Sequence, residues 1–82
     1  MLSDPPPDWE TTRRREIGST IRRARRAAGL TQIQLGEMAG LDHKTIHRIE
    51  YALSDPSLGM LLRIARAVDV PLAHLVREDR PA

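Results

Sequence analysis

Two short helical patterns meet across a break of three residues, Gly40-Leu41-Asp42, and no other feature of the chain restricts its fold as much. With no loop to separate them, the two helices must cross at close range, and each position around the crossing has its own requirement. Leu35 must be apolar because it faces the angle between the helices. Gly36 must be small because the second helix passes over it. Gly40 must accept a left-handed backbone in the turn. Leu41 plugs the turn into the core, and Ile46 and Ile49 hold the second helix down, the β-branched Ile46 with few rotamers to lose. All six positions fit, a combination that a chance run of helices seldom meets. Two helices joined by a short Gly-containing turn form a helix-turn-helix, here over about residues 32–51.

Periodicity places the other elements around this pair. Ile17, Ile21, Ala24 and Ala28 recur at spacings of four, three and four, one apolar stripe on a first helix predicted over about residues 11–28. Asp8 or Thr11 can cap its start, and Gly29 supplies the left-handed residue that ends it. Thr31 and Gln34 stand at capping-box spacing and open a second helix with Leu35 and Met38 facing inward. Gly40 stops that helix after Ala39, and Asp42 caps a third that runs to about Tyr51. Residues 52–57 form a loop. Ser57 or Asp55 caps a fourth helix whose predicted buried stripe is Leu58, Leu61, Leu62, Ala65 and Val68. Pro71 suits the first turn of a short fifth helix carrying Leu72, Leu75 and Val76. No alternating strand pattern occurs, so the predicted class is all-α. Residues 1–10 read as a disordered tail, 11–77 as one domain and 78–82 as a frayed end.

Composition narrows the function classes. Eighty-two residues suffice for one core and not for two. There is no Phe, one Trp and one Tyr, so the core is aliphatic and the row of stacking platforms that a single-strand binder needs is missing. Absent cysteine excludes disulfides, zinc-thiolate sites and thiol nucleophiles, and fits a reducing, cytoplasmic compartment. No apolar run approaches the ~20 residues that span a bilayer, and the acidic, Pro-rich start is unlike a signal peptide. The net charge is +2, but Arg13 to Arg26 holds seven arginines against Glu16 alone, so this segment carries +6 and the remainder −4. Such a segment is either a solvated helix face or a directed contact with a polyanion.

From Ile17 to Val76 the chain resembles the phage-repressor/Cro-type (XRE-like) helix-turn-helix family. The stretches that carry the likeness are Ala28-Gly29-Leu30-Thr31-Gln32, Ala39-Gly40-Leu41-Asp42, Thr45-Ile46-His47-Arg48-Ile49-Glu50, Asp55-Pro56-Ser57-Leu58 and Leu61-Leu62-Arg63-Ile64-Ala65. The resemblance implies a five-helix, lambda-repressor-like domain without catalysis or cofactor, bound as a dimer to a near-palindromic operator in double-stranded DNA. Two departures stand out. Gly59 replaces a better helix former, weakening the start of the fourth helix by roughly 1 kcal/mol relative to Ala. Tyr51-Ala52-Leu53 stands where a basic-Gly-basic run is common.

A recognition helix puts the residues of its N-terminal half and outward face against base edges. With Ile46 and Ile49 inward, those residues are His43, Lys44, His47 and Arg48. Gln32, at the start of the second helix, is placed for a phosphate, and the family also uses it to brace the first recognition residue, here His43. Thr31, Arg22 and Arg23 are further phosphate candidates, with Arg13 to Arg15 behind them. A carboxylate on the recognition helix would repel DNA, and the resemblance suggests that Glu50 pairs with Arg25 as a structural tie between the first and third helices. His43 and His47, at i and i+4, have metal-ligand spacing but no evident third ligand. Trp9 can staple the start of the first helix, meet a partner subunit or stay loose.

The expected function is sequence-specific regulation of transcription, most simply repression, by a weak homodimer in the cytoplasm with no membrane or small-molecule ligand. The alternative is a protein-binding module of the same fold, such as an antitoxin or a coactivator bridge. That alternative needs an apolar surface or a foldable tail, which the predicted stripes do not leave. An enzyme is excluded by the lack of a nucleophile–base pair and of a phosphate-cradling glycine loop.

Overall fold

The computed structural model describes residues 7–78 and forms five helices: α1 (Asp8–Ala27), α2 (Gln32–Ala39), α3 (His43–Glu50), α4 (Leu58–Ala67) and α5 (Leu72–Val76). The tail over residues 1–6 and the end over 79–82 lie outside the described residues. Ile21, Leu35, Ile46, Ile64 and Leu75, one from each helix, are fully buried and form the centre of the core.

Local chemistry sets most helix starts. Thr31 and Gln34 make a reciprocal capping box, with Gln34 N–H donating to Thr31 Oγ1 at 3.0 Å and Thr31 N–H to Gln34 Oε1 at 2.9 Å. Asp42 Oδ1 accepts from the Lys44 N–H at 2.7 Å, and Ser57, rather than Asp55, accepts from the Met60 N–H at 3.1 Å. The start of α1 differs from expectation. Pro7, which has no N–H to satisfy, holds the N-cap, so neither Asp8 nor Thr11 caps the helix. Asp8, Trp9 and Glu10 belong to the helix rather than to the tail, and the two acids in its first turn suit the positive end of the helix dipole. Trp9 is exposed there.

Four helices end in the same way. After α1 to α4, a residue with φ near +60 to +73° turns the chain: Gly29, Gly40, Ala52 and Asp69. The following N–H then reaches back to the last turn: Leu30 to Arg25 O, Leu41 to Gly36 O, Leu53 to Arg48 O and Val70 to Ala65 O. This satisfies carbonyls that would otherwise be orphaned. Two of the four positions lack the glycine that makes such a conformation free of steric cost.

Three predicted core residues face solvent instead. Met38 is 60% exposed because Gly36, drawn in against the turn, shifts the buried arc of α2 toward Ala39. Leu58 and Leu62 are 63% and 50% exposed, and α4 buries Ile64 and Ala65 together with Val68 at its C-cap, with Met60 and Leu61 half-covered. The helix is turned by about 50° from the predicted stripe, half of one 100° residue step. Arg13 clasps the far ends of the domain: Nη2 donates to the Val76 carbonyl at 2.6 Å, and Nε lies 2.9 Å from Glu78 Oε1.

Candidate nucleic-acid interface

Helix α3 is seated at both ends by backbone that approaches too closely for a side chain. At its start, a Cβ on Gly36 would strike the Leu41 carbonyl and press on the His43 nitrogen. The residue that must be small is therefore crowded by the turn rather than by the body of the second helix. At its end, a Cβ on Gly18 would collide with the carbonyl oxygens of Ile49 and Glu50. Gly18 is not among the positions that the sequence pattern singles out. The available signal was a glycine set between Ile17 and Ile21 on a helical stripe, which costs stability unless something packs on it.

Beside Gly18, Arg25 and Glu50 form a buried, bidentate ion pair. Arg25 Nε lies 2.6 Å from Glu50 Oε2 and Nη2 3.1 Å from Oε1, while Nη1 donates to the Leu30 carbonyl at 2.9 Å. Glu50 is 2% exposed, so its charge faces protein and not the outer face of α3. This geometry compensates two desolvated charges with several hydrogen bonds, which burial of an ion pair requires. The pair ties α1 to α3.

Gln32 joins the same cluster. Its Nε2 lies 3.2 Å from Glu50 Oε1 and 3.4 Å from His47 Nδ1. The brace therefore runs to His47 and Glu50, not to His43, because one turn of α3 separates His43 from the end where Gln32 reaches across. His43 lies 3.9 Å from the Asp42 carboxylate instead. Thr31 is exposed, with its hydroxyl engaged in the cap.

The outward face of α3 carries His43, Lys44, His47 and Arg48, all exposed. Tyr51 extends this face: its ring centroid lies 4.7 Å from that of His47, and the Arg22 guanidinium carbon sits 4.8 Å above the tyrosine ring. The tyrosine that replaces a basic residue thus brings a cation from α1 to the end of α3. Arg23 does not share that position. One residue is 100° of turn, and Arg23 donates to Thr20 at 3.2 Å and lines a concavity of about 260 Å³ with His74 and Arg77, between α1 and α5. Among the described residues, no group of three or more His, Asp or Glu could hold a metal ion, and no helix is long and apolar enough to cross a membrane.

A family model described as helix-turn-helix matches residues 21–75. The chain is 34% identical over 55 residues to an HTH-type transcriptional regulatory protein of Methanocaldococcus jannaschii, an alignment covering 67% of this chain. It spans only 17% and 34% of the lengths of two curated relatives that it matches. Among solved structures it is similar to the restriction-modification controller protein C.AhdI from Aeromonas hydrophila (TM-score 0.73, 31% identity, 74% of this chain and 92% of that one). It is also similar to the P22 c2 repressor in complex with a synthetic operator (TM-score 0.71, 27% identity, 77% and 96%).

Proposed function

This chain belongs to the helix-turn-helix family, and we propose that it is a sequence-specific regulator of transcription that lays α3 in the major groove of double-stranded DNA. The observation that carries the reading is the contrast between the two sides of α3. One side is buried and fixed at both ends, and the other presents His43, Lys44, His47 and Arg48 with no acid among them. Lys44 and Arg48 suit guanine O6 and N7, and His43 and His47 complete the reading face. Backbone phosphates are met by Thr31 and Gln32 at the start of α2, where helix N–H groups lack intrahelical partners, and by Arg22 beside Tyr51. Arg23 is left out because it lies on the α5 side of α1. The function involves no catalytic step.

The target is a near-palindromic operator read by a homodimer, whose half-sites repeat about one DNA turn apart. Leu58 and Leu62, one turn apart on α4 and exposed, supply apolar surface for a second copy. The same exposed leucines favour the second reading, a module that binds another protein, more than the predicted stripes did.

Selection of bound sequences from random duplexes, followed by binding of Lys44→Ala and Arg48→Ala to the selected site, tests the assignment. Each variant should lose about 1–3 kcal/mol of discrimination at particular base pairs. Equal losses on every sequence would leave phosphate binding alone.

A further inference from the structure

The contacts of Gln32 determine which hydrogen His47 can offer. Glu50 is held by Arg25 through both carboxylate oxygens, and a carboxylate accepts hydrogen bonds without giving any. The Gln32 amide therefore turns its NH2, and not its carbonyl, toward Glu50 Oε1, 3.2 Å away. The same nitrogen has a second hydrogen, and His47 Nδ1 lies 3.4 Å from it. A ring nitrogen facing an N–H must be the acceptor, so Nδ1 carries the lone pair. In a neutral imidazole the hydrogen then sits on Nε2. The Tyr51 ring, 4.7 Å away and tilted by 38°, packs on the imidazole and restricts its rotation.

We propose that Gln32 holds His47 as the Nε2–H tautomer, and that His47 is a donor-only reader of base edges. The proposal rests on the DNA-binding reading above and adds the chemical class of the base. A lone outward donor is satisfied by an acceptor edge. Guanine, with N7 and O6 adjacent, fits best, and cytosine, which presents its N4 amino group in the major groove, is rejected. Gln32 is thus a positioning residue for specificity, through an α2 side chain that need not touch the base itself.

Two measurements on the full chain decide the matter. Long-range 15N–1H correlations at neutral pH report which His47 nitrogen is protonated, without DNA. The expected pattern is a single Nε2–H form, with His47 Nδ1 shifted by its hydrogen bond and that shift lost in Gln32→Ala. An Nδ1–H signal, or a His47 Nδ1 unaffected by Gln32→Ala, overturns the proposal. The second measurement is base selection by the wild type, His47→Ala and Gln32→Ala. One position should disfavour cytosine by roughly tenfold in the wild type, lose that preference in His47→Ala and retain only part of it in Gln32→Ala. A Gln32→Ala profile that is uniformly weaker but unchanged in shape would make Gln32 a phosphate contact only and sink its positioning role. Failure to select any duplex would remove the DNA-binding reading, and the base-edge assignment with it, while the spectra would still decide the tautomer.

Discussion

The two ends of α3 are built from the same two parts, and the parts come from different places in the chain. Each end has a glycine against which backbone packs, Gly36 at the start and Gly18 at the end. Each also adjoins a left-handed residue that ends a helix, Gly40 at the end of α2 and Ala52 at the end of α3. At the start, everything lies within a few residues, and the turn specifies itself. At the end, the partners are Gly18 and Arg25, far away in sequence, and the left-handed position holds an alanine. Helix α3 is thus locally encoded at one end and held by tertiary structure at the other. A residue in αL without the freedom of glycine costs about 1–2 kcal/mol, and it persists because Gly18 and the Arg25–Glu50 pair fix the chain just before it.

Removing the tertiary hold should have the largest effect. Glu50→Ala leaves Arg25 buried without its counter-charge and should destabilise the domain by about 3–5 kcal/mol in urea unfolding. A loss below about 1 kcal/mol would mean that the pair does not anchor α3. Gly18→Ala comes next, at about 3 kcal/mol, since the new methyl meets carbonyl oxygens that cannot move without shifting α1 or α3. Gly40→Ala should cost only about 1–2 kcal/mol, because its Cβ would meet nothing closer than Arg63 Nη1 at 3.5 Å and the penalty is conformational. Ala52→Gly should raise stability by about 0.5–1 kcal/mol, the relieved strain being partly offset by the greater freedom of glycine in the unfolded chain. Equal and opposite results for Gly40→Ala and Ala52→Gly would show that the two helix ends differ only in residue. A neutral Ala52→Gly would show that the distal hold has already absorbed the strain.

The same division explains what could be read from the sequence. Thr31, Gln34, Gly40 and Asp42 act on neighbours within a few residues, so their roles follow from spacing. The apolar face of α3 was equally legible because Ile46 and Ile49 are its only large apolar residues. Helix α4 was not, since Leu58, Met60, Leu61, Leu62 and Ile64 cover more than half its circumference and periodicity allows more than one buried face. Gly18 was invisible as a contact because its partner carbonyls lie some thirty residues on. The pairing of Arg25 with Glu50 came from family likeness, as no spacing rule connects two charges 25 residues apart. The partner of Gln32 depends on where the end of α3 lies in space, and family likeness alone points to His43 in place of His47. Arg22 and Arg23 look alike in a run of arginines, and only the setting of α1 on α3 and α5 separates them.

The grip of Arg13 on Val76 and Glu78 sets the first helix beside the last. The first helix and the segment that follows the last are therefore neighbours in space, joined at Arg13, more than a turn inside α1. A domain whose first and last helices touch is topologically close to a ring: a linker from one to the other would close it, and a new opening could be cut in the loop over residues 53–56. Opened there, the same helices would be threaded in the order α4, α5, α1, α2, α3, with the break moved next to the end of α3.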